Sequence, residues 1–205
     1  MKLTNATPQA IRYACHNFHY SGSVPTVQYG FNAYNDAGEW CGVICFGSGA
    51  CPYIGAPYGL CQGEILELVR VALNGKQLAT SQCVTAALKE LRQQSPIVRM
   101  VISYADIDQG HTGTIYQATN WIYEGIKNAG DRSAFVIHGQ KMHPKTVYSR
   151  GWRQSSEWLQ ENVDPCATML RTKGKHKYIF CFDKHMRQKL KQLAKPYPKH
   201  GASQC

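Results

Sequence analysis

The apolar positions of the chain change period several times, and each change marks an element. Residues 8 to 20 read as a short helix. Thr26 to Tyr34 and Glu39 to Phe46 read as two strands of a hairpin, with Asn35-Asp36-Ala37-Gly38 as the turn. The stretch from Gly47 to Gly63 is rich in Gly, Pro and Tyr and reads as a long loop, a length that in a folded domain usually serves function. Glu64 to Leu73 is a strand with β-branched Ile65, Val69 and Val71. Val84, Ala87, Leu88 and Leu91 then recur at helical spacing, predicting a helix over Ala79 to Gln94 that Pro96 stops. Ile97 to Tyr104 is a near-continuous apolar run, as in a strand covered on both faces. Strand, helix and strand in this order predict a βαβ unit with parallel strands.

Beyond it, Asp106 to Thr112 reads as a polar loop and Gly113 to Asn120 as a short helix. Trp121 to Lys127, Ser133 to Gly139 and Lys177 to Phe182 are further strands, and Glu157 to Asn162 a helical turn. Asp183 is placed to cap a last helix whose stripe is Met186, Leu190 and Leu193, ended by Pro196-Tyr197-Pro198. The prediction is an α/β fold with a mixed central sheet, a βαβ core and a basic C-terminal helix. All 205 residues form one domain in this reading, with 171–205 as its basic segment.

With 43% hydrophobic residues the chain fills a core without disulfides or a structural metal. No apolar run reaches the 18 residues of a membrane span, and the N-terminus lacks the apolar stretch of a signal peptide, so a cytoplasmic location is expected. Nine scattered cysteines do not form a disulfide framework. Cys41, Cys45, Cys51 and Cys61 suggest zinc, but Cys41 and Cys45 sit on one predicted strand, about 13 Å apart and too far to share one ion, so the four are expected to be buried free thiols.

Charge alters the picture more. The net charge is +10, and ten Lys or Arg with a single acid, Asp183, lie between Arg171 and Lys199. Tyr178, Phe180, Phe182 and Tyr197 interleave with these cations, as on a nucleic-acid surface. Lys173, Lys175, Lys177, Lys184, Arg187, Lys191 and Lys195 are the candidate contacts to double-stranded DNA; a solvated tail without a partner is the plainer alternative. The oligomeric state stays open, a homodimer included.

Three places have residues suited to chemistry. The loop ending the second parallel strand, followed by Gly110-His111-Thr112-Gly113-Thr114-Ile115-Tyr116, lies where open α/β sheets bind ligands, and Tyr116 is a candidate proton donor or else a packing ring. Arg70, on the strand face of Leu66 and Leu68 by the period of two, needs an anion: a ligand, or Asp106 or Glu64 as an ion-pair partner. His16 and His19 share a helical face if the helix reaches them, and with Asp106 they would make a two-His, one-carboxylate iron set.

Taken in order, His19-Tyr20-Ser21-Gly22, Glu67-Leu68-Val69-Arg70, Ser81-Gln82, Ser103-Tyr104-Ala105-Asp106, Gly113 to Trp121 and the basic Lys175 to Lys199 end resemble the phage Mom family of DNA-adenine modification proteins, whose fold is similar to GNAT-type N-acetyltransferases. The resemblance implies transfer of a carbamoylmethyl-type group to N6 of adenine in phage DNA, protecting it from host restriction. It also implies iron, with His19, Tyr20 and Asp106 as ligands. Tyr116, Arg70 and Asp106 would be catalytic, and Ser81 would line the donor pocket. In acetyltransferases of this fold a glycine-rich loop wraps the coenzyme A pyrophosphate. Here Asn74-Gly75-Lys76-Gln77-Leu78-Ala79-Thr80-Ser81-Gln82 stands in its place, so acetyl-CoA is disfavoured and the donor stays unidentified. Adenine must be flipped out and held between aromatic walls, for which Tyr29, Tyr34, Tyr53, Tyr58 and Trp152 are candidates. The other readings are an acyl-CoA-dependent N-acetyltransferase of protein or small-molecule amines, and a non-catalytic DNA-binding protein on the same fold.

Overall fold

The computed structural model describes residues 1–49, 51 and 53–199. In chain order the elements are β1 (Lys2–Asn5), α1 (Pro8–Phe18), β2 (Tyr29–Tyr34), β3 (Trp40–Gly47), β4 (Ile65–Leu73), α2 (Thr80–Gln94), β5 (Met100–Asp106), α3 (Thr114–Gln117), β6 (Ile122–Lys127), β7 (Arg132–Ile137), β8 (Gln140–Met142), α4 (Pro144–Ser149), α5 (Ser156–Asn162), β9 (Thr168–Arg171), β10 (Lys175–Cys181) and α6 (Lys184–Leu190). A seven-stranded sheet runs β1-β2-β3-β4-β5-β10-β6, and a three-stranded sheet runs β8-β7-β9. β1 to β4 pair antiparallel in sequence, while β4 and β5 pair parallel around α2. The sheet is therefore mixed, with the βαβ core that the hydrophobic periods predict.

The chain forms two compact units. The first comprises Met1–Tyr104, Gly113–Gly125 and the described residues from Lys177 onward. Its apolar faces close against helices: Ala14 and Cys15 of α1 pack on Val43, Cys45 and Ala72, and Met186 and Leu190 of α6 pack on Met100, Ile102, Ile122 and Ile179. The second comprises Ala105–Thr112 and Ile126–His176. There Phe135, Ile137, Met142, Val147 and Leu159 make a separate small core, with Trp152 and Trp158 packed against it.

Helix ends follow their caps. Thr7 accepts from the Ala10 N–H ahead of Pro8, and Asp183 accepts from the Met186 N–H. α1 stops at Phe18 because His19 is already extended, so His16 and His19 do not share a helical face. β5 begins three residues later than the apolar run suggests, since Pro96 to Val98 form a turn and Ile97 is 64% exposed. α6 ends at Leu190, and Leu193 is exposed in a following 3-10 turn. Cys41 and Cys45 are buried thiols on β3, but Cys51 and Cys61 are exposed.

β3 and β4 approach closely at Gly42. Its φ is +126°, and a Cβ there would lie 2.1 Å from the Ala72 carbonyl oxygen. Gly42→Ala should therefore destabilise the fold by roughly 2–4 kcal/mol through clash and strain. Thermal unfolding would show this as a Tm lower by roughly 5–15 °C; an unchanged Tm would mean that the strands are not so close.

Candidate active site

β4 and β5 pair at only three positions, Ile65 with Met100, Leu66 with Val101 and Glu67 with Ile102. The cause is visible on the other edge of β4. Phe46 pairs with Leu68 and Cys45 pairs with Arg70, which leaves Val69 as an extra residue. A bulge of this kind bends and twists the strand that carries it. Past the last pair, a side chain rather than the ladder spans the opening: Ser103 Oγ on β5 lies 3.1 Å from the Leu68 carbonyl oxygen and 2.8 Å from Tyr116 Oη. The carbonyl only accepts, so when Ser103 gives it its one proton, Tyr116 donates to Ser103.

Tyr116 arrives here on α3, whose N-cap Gly113 has φ 77°. A Cβ on Gly113 would lie 2.3 Å from the Tyr178 ring, so only glycine lets that ring lie against the turn. Tyr116 is buried, with Trp121 and Tyr178 each 5.0 Å from its ring centre. Burial pushes its pKa up to about 12, opposed by the Ser103 bond and supported by the fields of Tyr20 and Glu67. At neutral pH the hydroxyl keeps its proton and can donate it. The packing and proton-donor readings of Tyr116 are thus both compatible with its surroundings.

The bulge also moves Arg70. Strict alternation sets it beside Leu66 and Leu68, but the extra residue turns it to the α1 face with Cys45 and Cys15. Its guanidinium donates to Ser23 O at 3.2 Å, Ser23 Oγ at 2.9 Å and Val69 O at 2.7 Å. Glu64, one of its expected partners, pairs instead with Arg99. Arg70 thus ties β4 to the segment that follows α1, which carries His19 and Tyr20. There His19 Nδ1 lies 2.9 Å from Ser21 Oγ and the two rings stack at 4.3 Å. The Ser21 N–H also donates to His19 Nδ1 at 3.2 Å, which leaves the ring proton of a neutral His19 on Nε2, and the phenol of exposed Tyr20 is an oxygen donor beside it. Asp106 belongs to the second unit, where its carboxylate accepts from the Asp108 N–H and caps the turn Ile107–Gln109. Among the described residues no group of three or more His, Cys, Asp or Glu is arranged to hold a metal ion.

Ser81 lies in the first turn of α2, whose N-cap Ala79 provides no side-chain cap. With Gln82, Thr85 and Lys89 of α2 and with Ala118 and Thr119 after α3, it lines a groove of about 350 Å³. Gly49 and Cys51 of the loop Gly47 to Gly63 also come near β4 and β5. A Cβ on Gly49 would meet Glu67 Oε2 at 2.6 Å, and Tyr104 feels the charge of Glu67 and the Cys51 thiol.

Tyr58 anchors that loop through a buried polar cluster that the sequence did not signal. Its hydroxyl donates to Glu124 at 2.8 Å and receives Lys177 Nζ at 2.6 Å, while Lys177 and Glu124 pair at 3.0 Å. Tyr58 is thus buried rather than a wall for a base, whereas Tyr53 is 77% exposed. Lys177 likewise differs from the other cations of the basic segment: it is buried and its charge is matched inside the protein. Lys173, Lys175, Lys184, Lys191 and Lys195 are exposed. Arg187 is half-buried and donates to the Asn120 carbonyl oxygen. The segment after α6 is docked: the Lys195 N–H donates to Tyr123 O, Tyr197 Oη to Trp121 O, and Gln117 Nε2 to Pro198 O.

The fold is that of N-acetyltransferases. Two solved structures support this at 9% identity: spermidine N-acetyltransferase of Vibrio cholerae (a point mutant), with a TM-score of 0.52 over 92% of this chain and 99% of that one, and a protein assigned as a phosphinothricin N-acetyltransferase, with 0.51 over 89% and 99%. The chain belongs to the Mom protein family, whose profile matches residues 1–199. It is 28% identical over 124 residues to the methylcarbamoylase mom of Escherichia phage Mu, covering 58% of this chain. The matched stretch spans about half of that relative, 49%.

Replacing Glu124 by Gln leaves the Lys177 charge buried without a carboxylate, and should destabilise the first unit by about 3 kcal/mol. Pairing Glu124→Gln with Lys177→Met should recover most of the loss, because no unmatched charge then remains. Denaturant unfolding of the single and double variants checks this; an equally unstable double variant would contradict it.

Proposed function

We propose that this protein is a DNA-modifying transferase that places a carbamoylmethyl-type group on N6 of adenine, and that it thereby shields phage DNA from restriction. The observation that carries the reading is the opening between β4 and β5, with the Tyr116 hydroxyl and Ser103 at its edge. The groove at Ser81 runs along the outer side of α2 to the turn after α3, and Gly49, Glu67 and Tyr104 lie close to one another. A donor and a flipped base would have to meet at the opening, beside the Tyr116 hydroxyl. Family membership and the name of the phage Mu relative support transfer of this kind of fragment.

The balance of the reaction is simple. The exocyclic nitrogen forms a bond to the carbon of the transferred fragment while that carbon's bond to its carrier breaks. The nitrogen loses one proton and the departing carrier gains one. Tyr116 keeps its proton at neutral pH and is the group suited to give it to the carrier. Arg70 supports the site by fixing Ser23, and with it the His19-Tyr20 segment. Iron is part of this reading: imidazole, phenol and carboxylate donors from His19, Tyr20 and Asp106 suit that metal. When bound it would supply a Lewis-acidic or redox-active centre. Ordinary acetyl transfer is less favoured, because the segment Asn74 to Gln82 has Gly75 alone and not the series of glycines that would let backbone N–H groups approach a pyrophosphate.

Mass spectrometry of nucleosides from the DNA of cells expressing the protein tests the reading. A new adenine species carrying the added fragment is expected; unmodified adenine together with acetylated protein or polyamine would favour the acetyltransferase alternative. Elemental analysis of anaerobically purified protein should find iron in the wild type and less in His19→Ala and Asp106→Ala. Equal iron in all three would exclude these ligands.

A further inference from the structure

Cations outside the C-terminal block also form a surface, and it lies in the second unit. The twenty-five residues Arg132–Ser156 contain five Lys or Arg and no Asp or Glu. They fold as β7, β8 and α4 with the turn after it, on the core of Phe135, Ile137, Met142 and Val147. Val147 points inward and is fully buried, whereas Lys145, Arg150 and Arg153 are exposed and Tyr148 is 75% exposed. The segment is closed on itself: Gln154 Nε2 donates to the Pro144 carbonyl oxygen at 3.0 Å, and His143 caps α4 by accepting from the Lys145 N–H. Arg150 lies over the Trp152 ring at 5.2 Å, a cation–π contact at the surface. Lys145, Arg150 and Arg153 form no salt bridge among the described residues.

We propose that this β8–α4 platform is a second contact surface for the phosphate backbone of duplex DNA, with Lys145, Arg150 and Arg153 as its cations and the Tyr148 hydroxyl as an added donor. The inference rests on the DNA-modifying reading above. Exposed cations that form no salt bridge among the described residues, one of them laid over a tryptophan ring, suit a regular polyanion. An anionic membrane would call for apolar side chains to insert, and Tyr148 is the only large hydrophobic residue of the segment among those most exposed. Contacts here would position the DNA without reading its sequence.

The test uses the full chain and a non-specific duplex of about 25 base pairs, titrated at several salt concentrations. Removing one phosphate-binding cation should reduce the slope of log affinity against log salt by about 0.9. The variant Lys145→Gln/Arg150→Gln/Arg153→Gln should therefore lower the slope by roughly 2–3, while Arg150→Lys, which keeps the charge, should leave it near the wild-type value. A second measurement needs no variant: amine-labelling of the wild type, read by mass spectrometry, should show Lys145 protected when the duplex is added. An unchanged slope with Lys145 labelled equally in both conditions would overturn the proposal. So would salt-dependent binding to anionic vesicles through these residues with none to the duplex. Wild-type protein that shows no saturable duplex binding even at low salt would instead overturn the DNA-modifying reading beneath it.

Discussion

Because Val69 has no register partner on β3, β4 turns away from β5 after Glu67, and three later features depend on that turn. The backbone ladder stops, so Leu68 offers its carbonyl oxygen to Ser103. Ser103 in turn meets the Tyr116 hydroxyl, which would otherwise be a buried polar group facing a closed sheet. Arg70 changes face and grips Ser23, so the segment after α1 is fixed to the strand that forms one side of the opening. One extra residue therefore creates the gap, supplies the acceptor that orders its edge and reorients the cation beside it.

Aromatic packing holds the opposite side. Tyr116 sits between Trp121 and Tyr178, and Tyr178 in turn touches Tyr123 and Tyr197. The chain after α6 completes this group: Lys195 and Tyr197 donate to the Tyr123 and Trp121 carbonyl oxygens, and the Pro198 carbonyl oxygen accepts from Gln117 of α3. Its exposed lysines give this segment an electrostatic role, and its backbone gives it a structural one. Phosphate binding is consequently better tested by changing charges than by removing the segment, since removal would also uncover Trp121 and Tyr178.

Much of the fold was legible because its core obeys simple periods. The βαβ core follows from Ile65 to Val71, from the helical spacing of Val84 to Leu91 and from the apolar run before Tyr104. β1 escaped notice because Lys2–Asn5 is short and half polar and becomes a strand only by pairing with β2. In the second unit β8, β9 and α4 are brief elements whose identity comes from their shared core rather than from propensity. Alternation cannot register an inserted residue, so the period of two alone puts Arg70 on the wrong face. Lys177 looked like one more surface cation, and only the fold brings Glu124 and Tyr58 to it. Tyr116 stood out for its place after the second parallel strand, but its hydroxyl partner, Ser103, comes from a different element.

The central claim is that the Tyr116 hydroxyl takes part in the transfer and does not merely fill the core. Tyr116→Phe keeps the ring between Trp121 and Tyr178 and deletes one oxygen. The decisive measurement is the level of modified adenine per genome in cells making wild-type or Tyr116→Phe protein at matched abundance. A hydroxyl that moves a proton in the transition state predicts a loss of roughly 10²–10⁴-fold in rate. Stability should fall by no more than about 0.5–1.5 kcal/mol, the worth of one hydrogen bond. Near-wild-type modification by the Phe variant would contradict the account and return Tyr116 to a purely structural role.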